Sequence, residues 1–140
     1  MGTRSRIGIE LKDGSILSAY HHWDGYPEWL GRILQTHYHT REKASELIDG
    51  GDMSCCWTKD RWTKDPWNSQ EPAEEYGAQY YSQRGEDCPP ALHKNFKEYM
   101  EAGEEYAYIL KDTGWVCYNN RSWDDTYMQE IPIPSGALAV

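Results

Sequence analysis

The chain has 140 residues, enough for a single domain over 1–140 to bury a core without metal or disulfide support. Its 14 basic and 23 acidic residues leave a net charge of −9, which disfavours direct nucleic-acid binding and fits a soluble protein or one that meets a basic partner. No apolar run is long enough to span a membrane, and the opening Met-Gly-Thr-Arg-Ser-Arg matches neither a signal peptide nor, with Arg6, a myristoylation signal.

Ile7, Ile9 and Leu11 alternate with polar neighbours, the period-2 pattern of a strand with one buried face. Asp13-Gly14 is a hairpin signal, and Ile16 to Trp23 returns as the second strand. A two-residue turn pairs Leu11 with Ile16 and puts His22 on the apolar face. A three-residue turn including Ser15 puts Leu17, Ala19, His21 and Trp23 there instead. Asp24-Gly25 breaks the strand, and Pro27 starts a helix whose buried stripe is Trp29, Leu30, Ile33, Leu34, His37 and Tyr38. Gly31 inside that helix implies close approach of another backbone or ring. Thr40 is an N-cap for a second helix carrying Ala44, Leu47 and Ile48, which Gly50-Gly51 ends.

Residues 52–90 form the least regular stretch, and 57–67 within it reads as an ordered loop or an insertion. There Trp57, Trp62 and Trp67 recur at a spacing of five, which matches neither a helix nor a strand face. They are a second candidate patch for a partner. Gln79–Ser82 is a candidate strand. A third helix follows Pro90, with Leu92, Phe96, Tyr99 and Met100 on one face and Gly103 as its stop. Tyr106–Leu110 and Trp115–Tyr118 flank the turn Asp112-Thr-Gly114, and the prolines of Ile131-Pro-Ile-Pro134 allow only an edge strand or an extended arm. The expected class is α+β: a small antiparallel sheet of two hairpins packed with about three helices.

The chain holds 7 Trp and 11 Tyr but one Phe, so its core must be finished with rings that carry a polar tip. Their densest association with polar chemistry is Tyr20-His-His-Trp-Asp-Gly-Tyr-Pro-Glu28. Tyr20, His22, Trp23, Asp24, Tyr26 and Trp29 are the candidate ligand or partner residues. The same corner also has a purely structural reading, in which Asp24 accepts backbone N–H bonds near the helix start. His21, His22, Asp24, His37, His39, Cys55 and Cys56 carry metal-ligating groups, but adjacent Cys55-Cys56 lacks zinc-site spacing, and no metal or other cofactor is expected. The chain has no nucleophile elbow or phosphate-cradling glycine loop, so no catalytic residue is assigned. The four cysteines, Cys55, Cys56, Cys88 and Cys117, are expected to be reduced thiols in a cytoplasm.

Thr3-Arg-Ser-Arg-Ile-Gly-Ile-Glu10, Gly14-Ser-Ile16, Tyr20-x-His-Trp-Asp-Gly-Tyr-Pro-Glu28, Gly31, His37-Tyr38 and Leu47-Ile-Asp-Gly-Gly-Asp-Met-Ser54 resemble a family of small proteins encoded by bacteriophages and prophages. Arg84-Gly-Glu86 and Glu104-Glu-Tyr-Ala-Tyr108 are similar to its later segments. The match is dense over the first 55 residues or so and sparse beyond them, and the Trp57–Trp67 repeat falls outside it. The family carries no assigned functional residues. The resemblance implies a soluble accessory protein in the cytoplasm of the infected host cell.

The expected function is a non-enzymatic accessory protein that binds and inhibits or redirects a host protein, in anti-defence for example. One alternative is a sponge for a small nucleotide-like signalling molecule held in an aromatic pocket. Another is a small metal-dependent or His/Asp hydrolase using His21, His22 and Asp24. Self-association is compatible with each of these.

Overall fold

A computed structural model describes residues 3–58 and 75–134. Its centre is the strand pair β1 (Ser5–Glu10) and β2 (Ile16–His21), joined antiparallel with Ile7 opposite Ala19 and Ile9 opposite Leu17. The turn between them is a three-residue loop, Lys12-Asp13-Gly14. Leu11 N–H donates to Ser15 O at 2.8 Å, and Gly14 takes the left-handed φ of +88° that such loops need. This register shifts the pairing by two residues from the three-residue alternative weighed on sequence. A shift of two keeps the faces, so Leu17, Ala19 and His21 share the side of Ile7 and Ile9.

The chain then turns a corner into a π-helical turn over Pro27–Gly31 that runs straight into α1 (Arg32–His37), followed by α2 (Arg41–Asp49). Thr40 caps α2 by accepting Lys43 N–H at 3.2 Å. Gly31 is tight because a Cβ there would lie 2.8 Å from Ile133, so the close neighbour is an aliphatic side chain rather than a backbone or ring. Strand β3 (Met53–Thr58) lies parallel to β2 and pairs antiparallel with β4 (Tyr76–Tyr80); a 3-10 turn, Tyr81–Arg84, and the short β5 (Ala91–His93) follow. Helix α3 (Phe96–Ala102) leads to the hairpin β6 (Tyr106–Lys111) and β7 (Gly114–Asn119), and β8 (Glu130–Ile131) closes the edge.

The α+β class is therefore present, with three α-helices among the described residues. The sheet is larger than two hairpins and mixed, in the order β4-β3-β2-β1-β6-β7-β8 with β5 also beside β2. Two contacts are parallel, β1 with β6 and β2 with β3. Strand β3 escapes a pattern-based reading because Met53 to Cys56 are all buried, which erases the alternation of a half-exposed strand. Strand β4 contains Gly77 and Ala78, poor strand formers. Leu92 is not on the third helix. It sits exposed in β5, because the helix begins only after Asn95, whose side chain accepts Glu98 N–H at 3.0 Å.

Both faces of the sheet are covered. α1 and α2 close one face over Ile7, Ile9, Ala19, Tyr108 and Leu110. α3 closes part of the other, with Tyr99 and Met100 on Ile16, Ala107 and Ile109. Tyr99 replaces solvent for two backbone carbonyls, its hydroxyl lying 2.7 Å from Tyr108 O and 3.0 Å from Arg6 O. No helix among the described residues is long and apolar enough to cross a membrane.

Candidate functional site

Strand alternation sends neighbouring residues of the corner in opposite directions. His21 points inward and is fully buried. Cys56 N–H donates to its Nε2 at 3.0 Å, so Nδ1 carries the proton and faces Ser5 Oγ at 3.4 Å. Burial, reinforced by the neighbouring His22, pulls its pKa down to about 3, so the ring is neutral. Tyr20 and His22 point to the other face, where they are half-buried. The Tyr20 hydroxyl lies 2.6 Å from His22 Nδ1, and His22 meets the Trp23 ring edge-to-face at 4.7 Å. Burial first, and then the charge of Glu104, pushes the Tyr20 hydroxyl up to about 12, with Arg4 opposing. The phenol is therefore protonated at neutral pH.

The backbone of the corner is held by β3, by β6 and by the residues just before β1 and β3. Tyr20 N–H donates to Asp52 Oδ1 at 3.0 Å, and His22 and Trp23 N–H donate to Met53 O and Ser54 O at 3.2 and 2.9 Å. Gly25 N–H donates to Thr3 O at 2.8 Å, and the buried Tyr108 hydroxyl donates to Gly25 O at 2.7 Å. A Cβ on Gly25 would come within 2.5 Å of Ser5 Oγ, so only glycine fits. Asp24 contributes through its backbone, with a left-handed φ of +56°. The helical turn that follows, Pro27–Gly31, has Tyr26 as its N-cap with no side-chain hydrogen bond there, so Asp24 is not its cap.

The six candidate residues therefore separate. Trp29 belongs to the core, 6% exposed, with Nε1–H toward Cys56 O at 3.4 Å. Tyr20, His22, Trp23, Asp24 and Tyr26 remain half-buried around the fixed backbone. Of the second patch, Trp57 is half-buried in β3, its ring seated where Gly77 leaves room, while Trp62 and Trp67 lie outside the described residues.

Two serine–histidine pairs have the outline of an activated nucleophile. Both are sealed. Ser5 beside His21 is fully buried. Ser18 Oγ, 2.7 Å from His93 Nε2, is fully buried too, and it also accepts Arg6 Nε–H at 3.0 Å. Burial and then the Arg6 charge lower the His93 pKa. These pairs hold β1, β2 and β5 together. Among the described residues no three His, Cys, Asp or Glu side chains gather to hold a metal ion.

No known protein family, curated protein or solved structure matches the chain.

Two features lay beyond the reach of motif reading. One is a groove of about 390 Å³ between α2 and β4, lined by Tyr38, Tyr76 and Tyr80 and rimmed by Lys43, Glu46 and Glu75. It is assembled from α2, β4 and Tyr38 in the turn after α1, so no local pattern signals it. The other is the loop after β7. Asn119 accepts from Arg121 N and Nε and donates to Thr126 Oγ1, while Asp124 accepts from Thr126 N and Oγ1 and pairs with Arg121 at 3.1 Å. That closed network carries Trp123 74% exposed, and Tyr127 and Met128 of the same loop are exposed too. A lone Trp among Asn, Arg, Asp and Thr was the available signal.

Proposed function

We propose that this chain is a phage accessory protein that acts by binding a host protein, with Tyr20, His22 and Trp23 as its contact edge. One observation carries the reading: three half-exposed rings project from a backbone already fixed by β1, β3 and β6. Rigid amphipathic rings give contact area at low entropic cost, and their hydroxyl and imidazole groups supply polar contacts at the rim. The phage context and the host cytoplasm rest on the resemblance in the first 55 residues or so. An anti-defence role is one form this activity takes.

Purified chain is first used to capture proteins from infected host cells, and each captured protein is then titrated pairwise against it by calorimetry. Trp23→Ala should weaken the pair by at least about tenfold, roughly 1.4 kcal/mol, with an unchanged melting transition. Undiminished affinity in a folded Trp23→Ala protein would make the corner a purely structural element.

The groove at α2 and β4 is the observation behind the second reading, a nucleotide-like ligand stacked on tyrosine. Its rim favours the first reading. Glu46 and Glu75 outnumber Lys43, which suits a cation better than a phosphate.

A further inference from the structure

Among the described residues the sheet ends at β4, and only β3 pairs with it. Natural edge strands are commonly blunted by charge, proline, a bulge or shortness. β4 is Tyr-Gly-Ala-Gln-Tyr, five residues without a charge or proline, and the irregularity in its ladder falls at the far end, between Met53 and Cys55 of β3. From Tyr76 to Ala78 the register is plain.

The groove runs beside this edge. Its rings are fixed before any ligand arrives. Tyr76 stacks on His37 at 4.2 Å and 12° and meets Tyr38 edge-on at 5.6 Å, and the Tyr80 hydroxyl donates to Leu47 O at 2.7 Å. Ala78, between Tyr76 and Tyr80 on the same face of β4, keeps the strand side of the groove low. The groove already accommodates a cation. Lys43 Nζ donates to the Tyr76 hydroxyl at 3.1 Å and sits 5.8 Å from the ring centroid. Lys43 is exposed, and contacts of that kind at a surface are weak, so a better-placed cation can displace it.

We propose that the groove between α2 and β4 binds an extended basic peptide segment, which pairs with the edge of β4 that no described residue occupies and sends an arginine or lysine side chain onto Tyr76 between Glu46 and Glu75. Strand addition supplies backbone hydrogen bonds, and the groove reads the side chains that face it, every second one along the segment. The net charge of −9 draws such a segment in. This surface is separate from the Tyr20–Trp23 edge, so its fate does not depend on that edge.

The test uses the full chain, ¹⁵N-labelled, and a blocked pentapeptide, Val-Arg-Val-Arg-Val, as the probe. The expected result is shifts in the amides of residues 76–80 and of Lys43 and Leu47, with binding weakening as salt rises. The Val-Glu-Val-Glu-Val peptide should bind at least about tenfold more weakly, and so should the arginine peptide against the folded Glu46→Gln/Glu75→Gln protein. Versions N-methylated at alternate residues, made in both registers, isolate the strand pairing without altering the protein. One register should lose binding. Equal binding of both N-methylated peptides, equal binding of the glutamate peptide, or shifts confined to other residues would each overturn the proposal.

Discussion

The corner at residues 22–26 and the loop at 120–129 both leave the sheet at the end of a strand, and both are rich in rings and polar side chains. They use them in opposite ways. The corner directs its hydrogen bonds outward to other strands, receiving Tyr108 and donating to Thr3, Met53 and Ser54, and the helix it launches buries Trp29 to 6% exposure. The loop satisfies its groups mainly among themselves, through Asn119, Arg121, Asp124 and Thr126, and leaves Trp123 74% exposed. Met128 even holds a left-handed φ of +71°, where its N–H donates to Asn119 O at 2.7 Å. A dense aromatic motif is thus no guide to exposure. What decides is whether the polar groups around a ring bond across the fold or within their own loop.

Three changes press on that contrast. Trp29→Ala should cost the most, about 3–5 kcal/mol in urea unfolding, because it empties a site packed between the helix and β3. A loss below about 1 kcal/mol would mean that the corner is not anchored through this ring. Acid should act next, through His21 beneath the corner. In the unfolded chain this ring takes a proton as pH falls below 6.5, whereas in the folded protein burial holds protonation off until about pH 3. Its contribution is therefore full above 6.5 and is lost as pH falls through that window. The lowered pKa values of His37 and His93 act in the same direction. Urea midpoints should fall from pH 7 to pH 4.5, and less steeply in His21→Gln; an equally steep fall would trace the acid sensitivity to other groups. Trp123→Ala should do least, shifting stability by no more than about 0.5 kcal/mol. A larger loss would show that the loop leans on its exposed ring.

Local signals were legible in the sequence. Asp13-Gly14 and Asp112-Thr-Gly114 are turns, Thr40 caps a helix, Gly103 ends one, and the proline-flanked Ile131 lies in an edge strand. Long-range pairings were not. The hairpin register turns on packing against α1 and α2, and β3 hides because both of its faces are covered. The corner was found as a cluster because its residues are contiguous. Which of its rings would be buried depended on Cys56 and Tyr108, the latter 83 positions from its partner Gly25. The α2–β4 groove arises from such distant choices, whereas Trp123 is left exposed by a network local to its own loop.

The place of β1 in the middle of the sheet governs the order in which the protein can be completed. Its first partner, β2, is next in the chain, but its other edge pairs with β6, whose approach is marked by Arg4 N–H donating to Glu105 across 101 positions. A ribosome adding about 5–20 residues per second needs at least several seconds to deliver that partner. Through that interval the future central strand is an edge strand. Arg6 and Glu10 place charges along it and Arg4 one just before it, the kind of side chain that discourages an exposed edge from pairing with another chain.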